Sequence, residues 1–257
     1  MSVSERLARA SVLIVGAGGL GSPAALALAA SGVGRIGLVD DDAVDLSNLA
    51  RQILHRTADL GRPKVESGAE RLGALSARVR VETHRRRMEA GDAASLVEGY
   101  EVVVDGSDNL PTKFLVNDAC VLAGRPLVAG AILRFFGQLL TVLPGESACY
   151  RCLFGGVPPE GSAPTCQEAG VMGAVAGFIG MLQAGEAVRI LAGRPPAWAG
   201  RLFTADMWSG RYGDVRVARD PGCAVCGESP AITSLSPEAY RYPGEGARRD
   251  EAEAALS

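Results

Sequence analysis

A continuous apolar run, Val12-Leu13-Ile14-Val15, passes directly into Gly16-Ala17-Gly18-Gly19-Leu20-Gly21, and then into an alanine- and leucine-rich stretch from Pro23 to Ala30. A strand that is apolar at every position is one buried on both faces, as in a parallel sheet. Glycines turn the chain tightly and let its backbone approach a ligand, and the helix that follows aims N–H donors at the same place. Ile36 to Val39 reads as the second strand. It ends in Asp40, roughly 22 residues past Gly18, where an acid can bond a ribose hydroxyl. Gly16, Gly18, Gly19, Gly21 and Asp40 are therefore candidate nucleotide contacts. These residues leave NAD, FAD and ATP open. A Walker loop is excluded, because no Gly-Lys-Ser/Thr closes the turn.

The alternation continues. Helices are predicted over Pro63 to Leu75, Ala93 to Glu98 and Pro111 to Ala123, and strands over Val79 to Thr83, Val102 to Val104 and Leu127 to Ala129. This pattern predicts an α/β protein with a Rossmann-like, doubly wound, mostly parallel sheet. Gln138 to Leu143 follows with no crossover helix, so it is expected to run antiparallel and to begin an antiparallel C-terminal extension. Leu202 to Ala205 and Val215 to Val217 are its further strands. Phe154 to Gly170, rich in Gly, Pro and Ser, is a long loop of the length that usually carries function. Val171 to Leu191 reads as a helix with glycines at 173, 177, 180 and 185 that permit close approach. After Ser229 the composition is that of a flexible tail.

Six cysteines occur with no export signal before them, which favours metal or redox chemistry over disulfides. Cys149-x-x-Cys152 and Cys223-x-x-Cys226 are two knuckles about 70 residues apart, the form in which two pairs wrap one tetrahedral Zn²⁺. No histidine or acid completes a three-ligand catalytic site, so the zinc is read as structural. Cys120 lies in an apolar helix and reads as packing. With a net charge of -3 and no basic block beyond Arg85-Arg86-Arg87, nucleic acid is not an expected partner. The most apolar stretch, Val171 to Leu182, is too short to span a bilayer.

Of 26 basic residues only Lys64 and Lys113 are lysines, and a retained lysine suits a site needing a compact point charge. Only two histidines, His55 and His84, are present, which argues against a mechanism built on several. Asn48, Arg51 and Lys64 either converge on a polyphosphate above the glycine turn or belong to an ordinary surface loop. Asp105-Gly106-Ser107-Asp108-Asn109 lies at the carboxyl end of a central strand, where open α/β sheets bind ligands. Asp105 is expected to be buried and structural. Asp108 is expected to face the site, where an acid can hold Mg²⁺.

Taken in order, the glycine turn, Asp40-x-Asp42, Ser47-Asn48-Leu49-Ala50-Arg51-Gln52, Gly61-Arg62-Pro63-Lys64-Val65, Ser107-Asp108-Asn109, Cys149-Tyr150-Arg151-Cys152, Thr165-Cys166-Gln167-Glu168-Ala169-Gly170-Val171 and Pro221-Gly222-Cys223-Ala224-Val225-Cys226 resemble the MoeB/ThiF/HesA family, bacterial relatives of ubiquitin-activating enzymes. The resemblance covers about residues 10 to 227. It implies a homodimer that binds Mg·ATP and adenylates the C-terminal Gly-Gly carboxylate of a small β-grasp sulfur carrier. A persulfide donor would later supply sulfur. By motif matching, Gly18 contacts the nucleotide and Asp40 the ribose. Asn48, Arg51 and Lys64 hold the phosphates, and Asp108 binds Mg²⁺ with Asn109 beside it. Asp42, Ser47, Leu49, Ala50 and Gln52 complete the matched set. Residues 154–170 resemble the crossover segment over the carrier's tail, and Cys166 is a candidate for a covalent link or sulfur relay.

One departure is that the family's N-terminal arm, whose arginine reaches the partner subunit's ATP, is not matched: either the start is truncated, or Arg6 or Arg9 substitutes, or that contact is absent. No rhodanese domain follows either, so a sulfur donor would be separate. The expectation is thus a single adenylating domain over residues 1–229, a tail over 230–257 and a cytoplasmic location. The competing readings are a non-catalytic partner that binds nucleotide and carrier, and an NAD-dependent oxidoreductase.

Overall fold

The computed structural model describes residues 1–162, 164 and 166–243, without the side chains of residues 166 and 167. Its strands are β1 (Ser11–Val15), β2 (Arg35–Val39), β3 (Arg80–His84), β4 (Val102–Asp105), β5 (Leu127–Leu133), β6 (Phe136–Val142), β7 (Arg201–Asp206) and β8 (Arg211–Arg216). They form one sheet in the order β3-β2-β1-β4-β5-β6-β7-β8. The strands from β3 to β5 pair in parallel, and those from β5 to β8 pair antiparallel. The predicted architecture and the change of direction at β6 both hold.

The helices are α1 (Val3–Arg9), α2 (Gly21–Ala30), α3 (Lys64–Leu75), α4 (Ala90–Glu98), α5 (Leu110–Leu122), α6 (Tyr150–Phe154), α7 (Cys166–Ala169) and α8 (Gly173–Leu191). Successive side chains of a strand point to opposite faces, and the central strands use this to serve two cores. Val12 and Ile14 of β1 join Leu28 of α2, Leu72 of α3 and Ile179 of α8. Leu13 and Val15 join Val97 of α4 and Phe114 of α5 on the other side. Both faces are covered, which is why β1, β2 and β4 are apolar or glycine through their middles and carry polar residues only at an end. At the N-terminus of α5, Asn109 caps, its Oδ1 accepting the Thr112 N–H at 2.9 Å.

Three departures from the sequence reading have local causes. Helix α1 was not expected, although Ser2 and Glu5 form a capping box, with Glu5 N to Ser2 Oγ at 3.3 Å and Ser2 N to Glu5 Oε2 at 2.7 Å. Leu7 then buries in the core. Helix α8 starts at Gly173 rather than Val171, because Met172 N donates to Arg134 O at 2.9 Å and Val171 bridges the β5–β6 turn. At 19 residues and mean hydropathy 1.3, α8 is long and apolar enough to cross a membrane, contrary to the sequence reading. Here its buried face packs on α2 and the sheet. A Cβ on Gly180 would lie 2.5 Å from Leu20 O, so only glycine lets α8 approach α2 this closely.

The segment that composition reads as a tail packs in its first part. Ile232 N donates to Ala224 O at 2.8 Å, and Tyr240 is buried against the α4–α5 side. Residues 244–257 lie outside the described residues.

Candidate active site

Strand order reverses between β1 and β4, and a cavity of about 800 Å³ opens at the carboxyl ends of these strands. Crevices at such switch points are where open α/β sheets take ligands, and the volume is that of a small-molecule site.

The glycine turn forms one wall, with Gly16, Gly18 and Gly19 lining it. Gly16 has φ +89, and a Cβ there would press on Gly106 O at 2.9 Å. At Gly21 a Cβ would sit 1.8 Å from Gly16 O, so the turn itself demands glycine. At Gly18 and Gly19 the nearest protein atoms would be 3.5 Å away, ordinary contact. Smallness at these two positions is therefore not forced by the fold, and it keeps the cavity side of the turn bare.

Asp40 follows β2 and locks the turn. Its carboxylate accepts Ala17 N at 2.8 Å and Asp42 N at 2.9 Å. Burial pushes its pKa up, and the Lys64 ammonium, 4.0 Å away, and the two N–H donors oppose that rise. Lys64 is itself buried and donates to Asp42 Oδ2 at 2.6 Å. His55, also buried, supports the turn from below. Its Nε2 lies 3.0 Å from Ala17 O and its Nδ1 2.9 Å from Ser67 Oγ. A carbonyl only accepts, so Nε2 carries the proton, and burial lowers the pKa of the ring.

The loop after β2 supplies the next wall. Asp45 caps a short 3₁₀ turn by accepting Ser47 N at 2.8 Å. Asn48 Oδ1 then accepts both Arg51 Nη2 and Gln52 Nε2 at 2.9 Å, and Arg51 Nη1 reaches Ser47 O at 3.2 Å. The Arg51 guanidinium is thus fixed on the cavity wall before any ligand arrives. The carboxyl end of β4 closes this side. There Asp105, buried, accepts Ser107 N at 2.9 Å and Lys113 Nζ at 3.0 Å, while Asp108 is exposed on the wall.

Of the residues predicted from sequence, Asp40, Asp42, Lys64 and Asp108 line this cavity together with the three glycines. Ser47, Asn48, Arg51 and Gln52 line it too. Gly21, Leu49, Ala50 and Asn109 do not. Gly21 packs beneath the turn, the backbone of Ala50 abuts Gly173 of α8, and Asn109 serves as the cap of α5. Arg6 donates to Ala192 O, beyond the end of α8 away from the glycine turn. The Cys166 side chain lies outside the described residues. Sequence reading did not place Lys113, Tyr150, Phe154 or Tyr242, which also line the cavity. For Lys113 the signal was its scarcity. The aromatic residues gave none, since their meeting depends on contacts distant in sequence.

The four knuckle cysteines gather on the α5 side of the sheet, with Sγ–Sγ distances of 3.9 Å (Cys149–Cys152), 3.6 Å (Cys149–Cys223) and 3.3 Å (Cys152–Cys226). Disulfides would need about 2.05 Å. Tetrahedral Zn²⁺ with Zn–S of about 2.3 Å sets sulfurs about 3.8 Å apart, so the cluster fits that ion. None of the four sulfurs belongs to the cavity wall.

A doubly wound sheet with a bare glycine turn at its switch point, an acid after the second strand and fixed cations above it defines a Rossmann-type nucleotide-site protein. The chain belongs to the ThiF family, whose sequence pattern matches residues 2–225. It is 48% identical over 236 residues to the sulfur carrier protein adenylyltransferase of Thermus thermophilus, covering 90% of this chain and 87% of that one. It is 49% identical over 231 residues to the pig (Sus scrofa) adenylyltransferase and sulfurtransferase MOCS3, again over 90% of this chain. It spans about half, 51%, of the length of that relative. The fold matches crystal structures of Escherichia coli MccB, one with bound ATP at a TM-score of 0.77 and 24% identity, covering 88% of this chain and 68% of that one.

Proposed function

We propose that this protein is an ATP-dependent adenylyltransferase that activates the C-terminal glycine of a small β-grasp sulfur carrier. The observation that carries this reading is the meeting of Arg51, Lys64 and Asp108 with the glycine turn in one cavity. High identity to a carrier adenylyltransferase supports it.

A carrier carboxylate oxygen attacks the α-phosphorus of ATP. The new C–O–P bond forms as the bond from that phosphorus to the bridging oxygen breaks, and pyrophosphate leaves. The carboxylate is already a nucleophile, so no protein base is required. The chain must align two anions and neutralise the leaving group. Arg51, held by Ser47 and Asn48, and the buried Lys64 supply fixed positive charge. Asp40 faces the ribose. The exposed carboxylate of Asp108 suits Mg²⁺, which takes one or two protein carboxylates alongside phosphate oxygens and neutralises their charge. A hydride-transfer enzyme would leave Arg51 and Lys64 without a shared task.

Residues 1–229 act as one adenylating domain on this reading, with 154–170 as the crossover connection and Zn²⁺ held by Cys149, Cys152, Cys223 and Cys226. The chain works in the cytoplasm as a homodimer, and a separate persulfide donor completes the thiocarboxylate, with Cys166 as the candidate to link or relay. Carrier-dependent ATP–pyrophosphate exchange tests the reading. Arg51→Ala and Asp108→Ala should each lower exchange by about 10²–10³-fold, the scale for losing one preorganised charge contact. Near-normal exchange in both variants would remove the assignment.

A further inference from the structure

Asp118, on α5, is fully buried and is the hub of a network outside the phosphate end of the cavity. Its carboxylate accepts Arg151 Nε at 2.9 Å, Arg151 Nη2 at 2.8 Å and the Tyr240 hydroxyl at 3.0 Å. Asn117 ties the same point further, donating to Asp118 Oδ1 and accepting Tyr150 N at 2.8 Å. One carboxylate therefore fixes both the helix α6, through Arg151, and the C-terminal segment, through Tyr240.

The consequence lies close to each anchor in sequence, at Tyr150 and Phe154 around Arg151 and at Tyr242 after Tyr240. Helix α6 and the connection after it put Tyr150, Phe154, Gly156, Pro158 and Pro164 on the cavity wall. The C-terminal segment puts Tyr242 on it as well. Two extended residues reach only about 7 Å, so Tyr242 enters the cavity wall close to Tyr240, whose hydroxyl shares Asp118 with Arg151 of α6. Tyr150 and Phe154 already pack ring to ring there, with centroids 4.5 Å apart.

Resting on the adenylation reading, we propose that Tyr242, anchored through Tyr240 to Asp118, is a specificity-determining residue that walls the channel for the carrier's tail. Rings and prolines are rigid, and a channel faced with them favours an extended backbone with the smallest side chains. A tail of two glycines is what such a channel accepts. Tyr242 acts on the peptide substrate, and the nucleotide is bound at the other end of the cavity.

The test measures pyrophosphate exchange with a recombinant β-grasp carrier ending in Gly-Gly, and with the same carrier ending in Gly-Ala. Exclusion of one carbon from a tight pocket is worth about 10–200-fold in selectivity. Tyr242→Ala should lose most of that preference and raise the carrier KM about tenfold, within the range for one aromatic contact. The KM for ATP should not move, and Tyr242→Phe should restore selectivity. Tyr240→Phe, which keeps the ring and removes the anchor, should shift the carrier KM in the same direction. Zinc content and melting temperature of each variant separate these effects from misfolding. Wild-type exchange with unchanged selectivity in Tyr242→Ala overturns the proposal alone. A raised KM for ATP with unaltered carrier kinetics also overturns it, by placing the ring against the base. Absence of carrier-dependent exchange in the wild type removes the adenylation reading, and the proposal with it.

Discussion

At the scale of single residues, the site is held by groups that themselves need holding. His55 is the clearest case. It is neutral in the fold, where burial keeps its pKa below the ordinary 6.5, and it donates to the carbonyl of Ala17 inside the glycine turn. In the unfolded chain the same ring protonates near pH 6.5. The unfolded state therefore binds the extra proton first, and the stability His55 contributes above pH 6.5 is lost progressively below it. Urea unfolding between pH 7.5 and pH 5.5 should show a steeper loss for the wild type than for His55→Gln. Parallel pH dependences would remove His55 from this role. Much at this scale was legible in sequence, since Asp40, Asn48, Arg51 and Lys64 each stand next to a recognisable turn or strand end. Asn109 was ambiguous because the same short side chain that suits a ligand also suits a helix cap, and here it caps α5. Tyr242 was invisible because its place depends on Asp118, which is more than a hundred residues earlier.

Among elements, the centre of the parallel half could be read because β1, β2 and β4, buried on both faces, are apolar through their middles. The edges could not be read as sharply. Strand β8 is charged and exposed along its length, and it exists because its backbone pairs with β7. Pairing of that kind leaves little trace in hydropathy. Helix α8 shows what its glycines are for. A Cβ at Gly173 would lie 2.5 Å from Ala50 O, and one at Gly180 2.5 Å from Leu20 O, so both mark where backbone meets backbone. Gly180→Ala should cost about 1–3 kcal/mol through overpacking. Gly73 in α3 meets nothing within 4 Å, so Gly73→Ala should instead gain about 0.5–1 kcal/mol from helix propensity. Thermal melting of the two variants should move in opposite directions. A harmless Gly180→Ala would mean that α8 can shift away from α2 at no cost.

For the whole molecule, the outer face of α8 matters most. Ala174, Met181 and Gly185 are exposed along it, with Met181 47% accessible. Phe178 extends the patch to Tyr212 of β8, ring centroids 5.8 Å apart, with Tyr212 55% accessible. Exposed apolar surface of this kind suits an interface, and on the proposed homodimer reading a second copy of the chain would cover it. Met181→Arg should convert a dimer to a monomer in sedimentation experiments. A wild type that sediments as a monomer would count against the homodimer.

The cysteine cluster also changes what a broken chain would look like. Its two knuckles bracket residues 153–222, which include α8 and half of the antiparallel sheet. With the metal seated, a protease nick anywhere in that bracket leaves two fragments still clasped at their stems. Such a nicked protein would elute as one particle even under thiol reductant, and would come apart only when a chelator and a denaturant are added together.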